Sequence, residues 1–171
     1  MGLRLLGLVA VTALLAALAG ASAPLGERRV GRAGVTVALP AGWYSARAGG
    51  SSLTDPVTRV AVSSAPFRDR NPRCFSRLAS YAPPPRGVSL VIVEWRQLHQ
   101  GDPLPGPLAG QTLALQPPPA IECFGGAGGG VFFAERARRF AAYVLLGRRA
   151  PPVLAEQARA VLATLAVQRA P

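Results

Sequence analysis

The chain is 171 residues long and half hydrophobic, the composition of a folded globular domain and not of a disordered one. All 19 of its basic residues are arginine and they face only 8 acids, for a formal net charge of +11. One histidine and two cysteines leave no metal-ligand set, and no aromatic stacking motif interleaves the dispersed arginines, so neither a metal nor nucleic acid is an expected partner.

The amino terminus carries the most specific signal. Arg4, the apolar run from Leu5 to Ala19 and the small residues that follow form an export signal spanning residues 1–23. Ala19-Gly-Ala21 satisfies the small-x-small rule with Ser22 next, so cleavage is expected after Ala21. A cut after Ala23 would put Pro24 in the position that follows. An uncleaved anchor is the alternative, because the uncharged stretch from Leu5 to Leu25 is long enough to span a bilayer. Removing 21 residues leaves 150, the size of one domain with a real core. Residues 22–33 read as a flexible basic segment, residues 34–167 as a single α+β domain and residues 168–171 as a tail.

Gly34 to Pro40 alternates and is rich in β-branched residues, so it reads as a strand closed by proline. A turn at Ala41-Gly42 follows, and Thr58 to Ser64 forms a second strand. Asn71-Pro72 has the form of a helix start, with Cys74, Leu78 and Tyr81 at helical spacing before Pro83-Pro-Pro85 ends the run. Val88 to Trp95 is the strongest strand, and its four consecutive apolar residues place it centrally, covered on both faces. Residues 100–119 hold six prolines and read as a surface excursion. The glycine run 125–130 reads as a flexible link into a hairpin of Val131–Glu135 and Phe140–Gly147, with residues 136–139 turning. Pro151-Pro152 open a final helix whose stripe of Leu154, Ala158, Val161, Leu162 and Leu165 packs on a sheet.

Cys74 and Cys123 fit a disulfide in an oxidising compartment, since neither lies in a CxxC or metal-ligand spacing. The bridge would close a span of 49 residues, worth about 4 kcal/mol by chain entropy. The competing reading makes one of them a nucleophile with His99 as its base. The glycine run lacks the phosphate-loop pattern, and Ser63, Ser64 and Ser80 sit in no nucleophile motif. Glu94, Glu122 and Glu135 could supply paired carboxylates, although an arginine partner is the ordinary fate of an acid in so basic a chain. The arginine groups, above all Arg68, Arg70, Arg73, Arg77, Arg136, Arg138 and Arg139, are the candidate contacts for an anionic partner. Each arginine near an anionic surface adds about 1 kcal/mol within a Debye length.

The phrase Val35-Thr-Val-Ala-Leu-Pro-Ala-Gly-Trp43, a strand running into a Pro-x-Gly-Trp turn, resembles the opening of the PsbP/Mog1-like domains. The later order of strands, hairpin and final helix through Val161-Leu-Ala-Thr-Leu-Ala-Val167 is similar in outline. The resemblance implies an antiparallel sheet with helices packed on both faces, an αβα-sandwich-like arrangement. It transfers no catalytic site, cofactor or calcium motif. The expected function is therefore a non-enzymatic binding or accessory module of the bacterial cell envelope, meeting an anionic envelope component or an acidic protein. Membrane contact is expected only through an uncleaved signal segment. The alternative is a small hydrolase or thiol enzyme using Cys74 or Cys123 with His99.

Overall fold

A computed structural model describes residues 28–46, 55–67, 78–97, 104–117 and 124–169. The expected signal segment, Asn71-Pro72, both cysteines, His99 and Glu122 lie outside the described residues. Two antiparallel sheets and a C-terminal helix form the described fold.

The smaller sheet begins with β1 (Arg29–Arg32), in a stretch whose sequence reads as a flexible basic segment. It pairs antiparallel with β2 (Val35–Ala38), joining Arg32 to Val35 across a two-residue turn. Ala33 and Gly34 both have positive φ, 51° and 72°, the combination that a tight hairpin turn of the favoured hand requires. The arginines on either side of Val30 masked this strand in the sequence. The third strand of this sheet, β8 (Ala166–Val167), pairs with β2 after the final helix.

The larger sheet has the order β3-β4-β5-β7-β6. Its members are β3 (Tyr44–Ser45), β4 (Val57–Ser63), β5 (Val88–Trp95), β6 (Ala127–Glu135) and β7 (Arg138–Leu146). As its uninterrupted apolar run requires, β5 is the middle strand, and every residue but Trp95 is buried. Ser63 and Ser64 stitch β4 to it: the Ser63 hydroxyl donates to the Val88 carbonyl, and the Ser64 hydroxyl accepts from the Val88 amide.

Val60, Leu90, Ile92, Val131, Phe133, Phe140, Ala142 and Val144 line one face of this sheet and form one core with Val35 and Val37 of the smaller sheet. α1 (Val153–Ala163) closes that core with Ala158, Val161 and Leu162. Burying each of the larger two, Val161 and Leu162, contributes about 1.5–3 kcal/mol. Trp43 packs on the same core, whereas Trp95 stays 38% exposed. On the opposite face Val91, Val93 and Ala141 meet Leu78 and Tyr81. Those two residues bound a short 3₁₀ turn, Leu78–Tyr81, which is the described part of the expected first helix.

From Ala127 onward the glycine run is strand, not link. β6 starts at Ala127, so Gly128, Gly129 and Gly130 pair with β7. The segment 113–116 lies against this run, with Gln116 bridging Gly128 through two backbone hydrogen bonds of 2.8 and 3.1 Å. A Cβ on Gly129 would sit 2.0 Å from the Ala114 carbonyl oxygen. The glycines therefore let a second backbone approach closely, which is also why the proline-rich excursion returns Leu113 to the core. Gly129→Ala is expected to cost about 1–3 kcal/mol by overpacking, read as a lower urea midpoint with an unchanged denaturant slope. A midpoint equal to that of the parent protein would show that segment 113–116 is free to move aside.

Candidate functional site

Glu94 occupies the core-side face near the end of β5, in register with Val57 of β4 and Phe140 of β7. A lone carboxylate there, 7% exposed, is tolerable only if it is paired and hydrogen-bonded. Two arginines supply this. The β4 register shifts between Thr58 and Val60, and such an irregularity re-aims the extra side chain. Arg59 is that residue, and its Nε donates to Glu94 Oε2 at 2.5 Å.

Arg138 arrives from the other side, at the start of β7 directly after the Arg136–Ala137 turn, where both residues have positive φ. Its Nε and Nη2 grip the two carboxylate oxygens at 2.7 and 2.8 Å, the bidentate fork that suits a guanidinium to a carboxylate. Its Nη1 donates to the Ala33 and Gln168 carbonyls, both at 3.1 Å. Arg138 thus ties the β1–β2 turn and the end of β8 to the larger sheet. Burial alone would raise the Glu94 carboxyl. The hydrogen bonds from Arg138 and Arg59, aided by their charges, overcome that and hold it below the usual carboxylate range. The Glu94 hydrogen bond in turn pushes Arg138 up, against the effect of its burial.

A cleft of about 600 Å³ opens over this triad, lined by Ala33, Gly34, Gln168 and four arginines, Arg59, Arg96, Arg138 and Arg169. Glu94 is the single acid among its described lining residues, and two arginines already neutralise it. Arg96 and Arg169 are exposed at the rim, and no ion pair holds either among the described residues. The rim backbone is fixed: the Asp55 carboxylate accepts from the Arg96 and Gln97 amides at 2.6 and 3.0 Å. Such a cleft can bind an anion by charge-assisted hydrogen bonds. It offers no nucleophile paired with a base.

The sequence candidates other than Glu94 and Arg138 do not line this cleft among the described residues. Arg68, Arg70, Arg73 and Arg77 lie outside the described residues. Arg136 is exposed in the β6–β7 turn, and Arg139 is half-buried beside Trp95 in the sheet register. Arg138, grouped in the sequence with the surface contacts, is 8% exposed and acts as the internal partner of Glu94. Glu135 accepts from the Leu108 amide at 3.2 Å and has no carboxylate partner in the cleft. Arg59, Arg96 and Arg169 were not singled out by sequence. The available signal was one charge inside each apolar strand, Arg59 in β4 and Glu94 in β5, which marks an internal ion pair.

Among the described residues no group of three or more His, Cys, Asp or Glu could hold a metal ion. No helix among them is long and apolar enough to cross a membrane. No family model, curated protein or solved structure matches this chain.

Proposed function

We propose that the protein is an exported, non-enzymatic binding or accessory module of the cell envelope that holds an anionic partner in the cleft above Glu94. The observation that carries this reading is the four-arginine lining around one carboxylate that is already neutralised. Arg59 and Arg138 are spent on structure, which leaves Arg96 and Arg169 as the groups that engage the partner. The export signal at residues 1–23 supports the location, and a Cys74–Cys123 bridge belongs to the same oxidising compartment. A PsbP/Mog1-like sandwich, a family that includes accessory and binding proteins without one shared activity, is the fold-level counterpart of this reading.

Calorimetric titration with inorganic tripolyphosphate tests the cleft. Affinity is expected to fall as salt rises. The double variant Arg96→Ala/Arg169→Ala is expected to lose about tenfold or more, since hydrogen bonds to a charged group are each worth about 1.5–3 kcal/mol. Affinity indifferent to both salt and the double variant would remove the cleft from the function. For the location, N-terminal mapping of the native protein should find Ser22 first in the extracytoplasmic fraction. An intact leader on protein confined to the cytosol would overturn that part.

A further inference from the structure

A second cleft, of about 440 Å³, runs along β1 on the side away from β2 and is bounded by Ser45, Ala46, Val60 and Ala61. Arg28, Arg29 and Arg32 line it, together with Arg59. Arg59 also lines the cleft above Glu94, so this one side chain borders both concavities. Among the described residues, seven arginines and one carboxylate line the two together.

We infer that the two clefts form one continuous track for a linear polyanion with repeating phosphate groups, lying along β1 and crossing Arg59. The inference rests on the anion-binding reading above and specifies its ligand. Three observations carry it. The first is length: four residues of strand extend roughly 13 Å, so the β1 cleft adds room for further charged groups beyond the one seated between Arg96 and Arg169.

The second is shape. Arg59 forms part of the floor, with its side chain 13% exposed. A flat lipid surface would meet only the exposed rim, whereas a thread of chain can enter and follow the floor. The third is chemistry. Among the described residues no aromatic side chain lines either cleft, so a single-stranded nucleic acid would find its phosphates matched there and its bases without a stacking platform. Guanidinium groups suit phosphate oxygens bidentately and need nothing else of the polymer.

The arginines of the β1 cleft divide by role. Arg29 is committed to the fold, donating to the Thr36 hydroxyl, the Thr36 carbonyl and the Thr164 carbonyl. Arg32 donates to the Thr58 carbonyl at 2.7 Å. Arg28 is exposed, and its backbone carbonyl accepts from Leu39, so Arg28→Ala removes a surface charge and keeps the strand.

The test compares inorganic tripolyphosphate, which fills one cleft, with a long inorganic polyphosphate, a poly(glycerol phosphate) and phosphatidylglycerol vesicles, all on the full chain. Linking successive phosphates makes later contacts intramolecular, so the long chains are expected to bind about 100-fold tighter than tripolyphosphate. Arg28→Ala should erase most of that gain and leave tripolyphosphate affinity unchanged, while Arg96→Ala/Arg169→Ala should weaken every phosphate ligand. The two polymer arms separate the sources: equal gain on both assigns the shared phosphate repeat, and a gain on one alone assigns that polymer. Tripolyphosphate binding without any chain-length gain, or a gain untouched by Arg28→Ala, overturns the track and leaves the single cleft standing. Vesicles binding tighter per charge than either polymer overturn it in favour of a membrane surface. Failure of every phosphate ligand to bind overturns both the track and the reading beneath it.

Discussion

Glu94→Gln is expected to lower the stability of the protein by about 3 kcal/mol or more, because removing one partner of a buried ion pair leaves the other charge uncompensated. For a domain of this size that is a fall of about 6–12 °C in Tm. The geometry sets the scale. Both carboxylate oxygens of Glu94 are used, and the side chains of Arg59, Glu94 and Arg138 are 13%, 9% and 7% exposed. Neutralising Glu94 would leave two guanidinium groups facing each other with little water between them. Arg138 would also loosen its hold on Ala33 and Gln168, so the hairpin turn and β8 should lose hydrogen-exchange protection first.

The same substitution has a pH signature. The folded carboxyl is held below its ordinary value, and the unfolded one titrates near about 4.3. Its contribution is therefore fully present above the unfolded pKa and is lost as pH falls through the folded one. Thermal unfolding followed from neutral to acid pH should show a steep acid limb for the parent and a flatter one for Glu94→Gln. Glu94→Met combined with Arg59→Met and Arg138→Met should recover much of the loss, since an apolar trio leaves no buried charge uncompensated. A single variant as stable as the parent, with the same acid limb, would show that the triad is solvated and does not hold the sheets together.

Phe140→Ala is the second large effect, expected to cost about 3–5 kcal/mol. Phe140 is 1% exposed and stacks on Phe133, with ring centroids 5.4 Å apart at 26°. Its other neighbour is the Arg138 guanidinium, 5.3 Å from the ring centroid. Truncation therefore opens a cavity in the shared core and also removes the face against which Arg138 lies. Because Arg138 touches both Phe140 and Glu94, the two substitutions should be non-additive, with a coupling of about 0.5–3 kcal/mol in a double-mutant cycle read by urea unfolding. Strict additivity would separate the aromatic core from the ion triad.

Much of the scaffold was legible because its signals are local. The apolar run Val88–Trp95 reads directly as the central strand, and the stripe through Ala158, Val161 and Leu162 as the helix face on the core. Turns written in backbone conformation were harder. The Ala33-Gly34 turn makes a strand of arginine-rich β1, and the two-residue Arg136–Ala137 turn starts β7 at Arg138 instead of beyond the arginines. The glycines of β6 look like a linker until a partner backbone is placed against Gly129, because what they accommodate is a neighbour about fifteen residues back in the chain. The site was harder still. Arg138 read as one of many surface cations, and Arg59 as one residue of an alternating strand.

What the sequence alone determined is what short-range chemistry can encode: the strand and helix periodicities and the arginine excess, to which our proposal of an exported protein with an anionic partner is tied. Tertiary structure alone decided which charges are spent and which remain. Arg59, Glu94 and Arg138 come from three strands, and burial made pairing obligatory for them, since an unpaired charge in that position is too costly to keep. Arg28, Arg96 and Arg169 are chemically identical to them and stand at solvent-exposed rims of the clefts. The difference between a structural arginine and a binding one is its depth in the fold, which no spacing along the chain records.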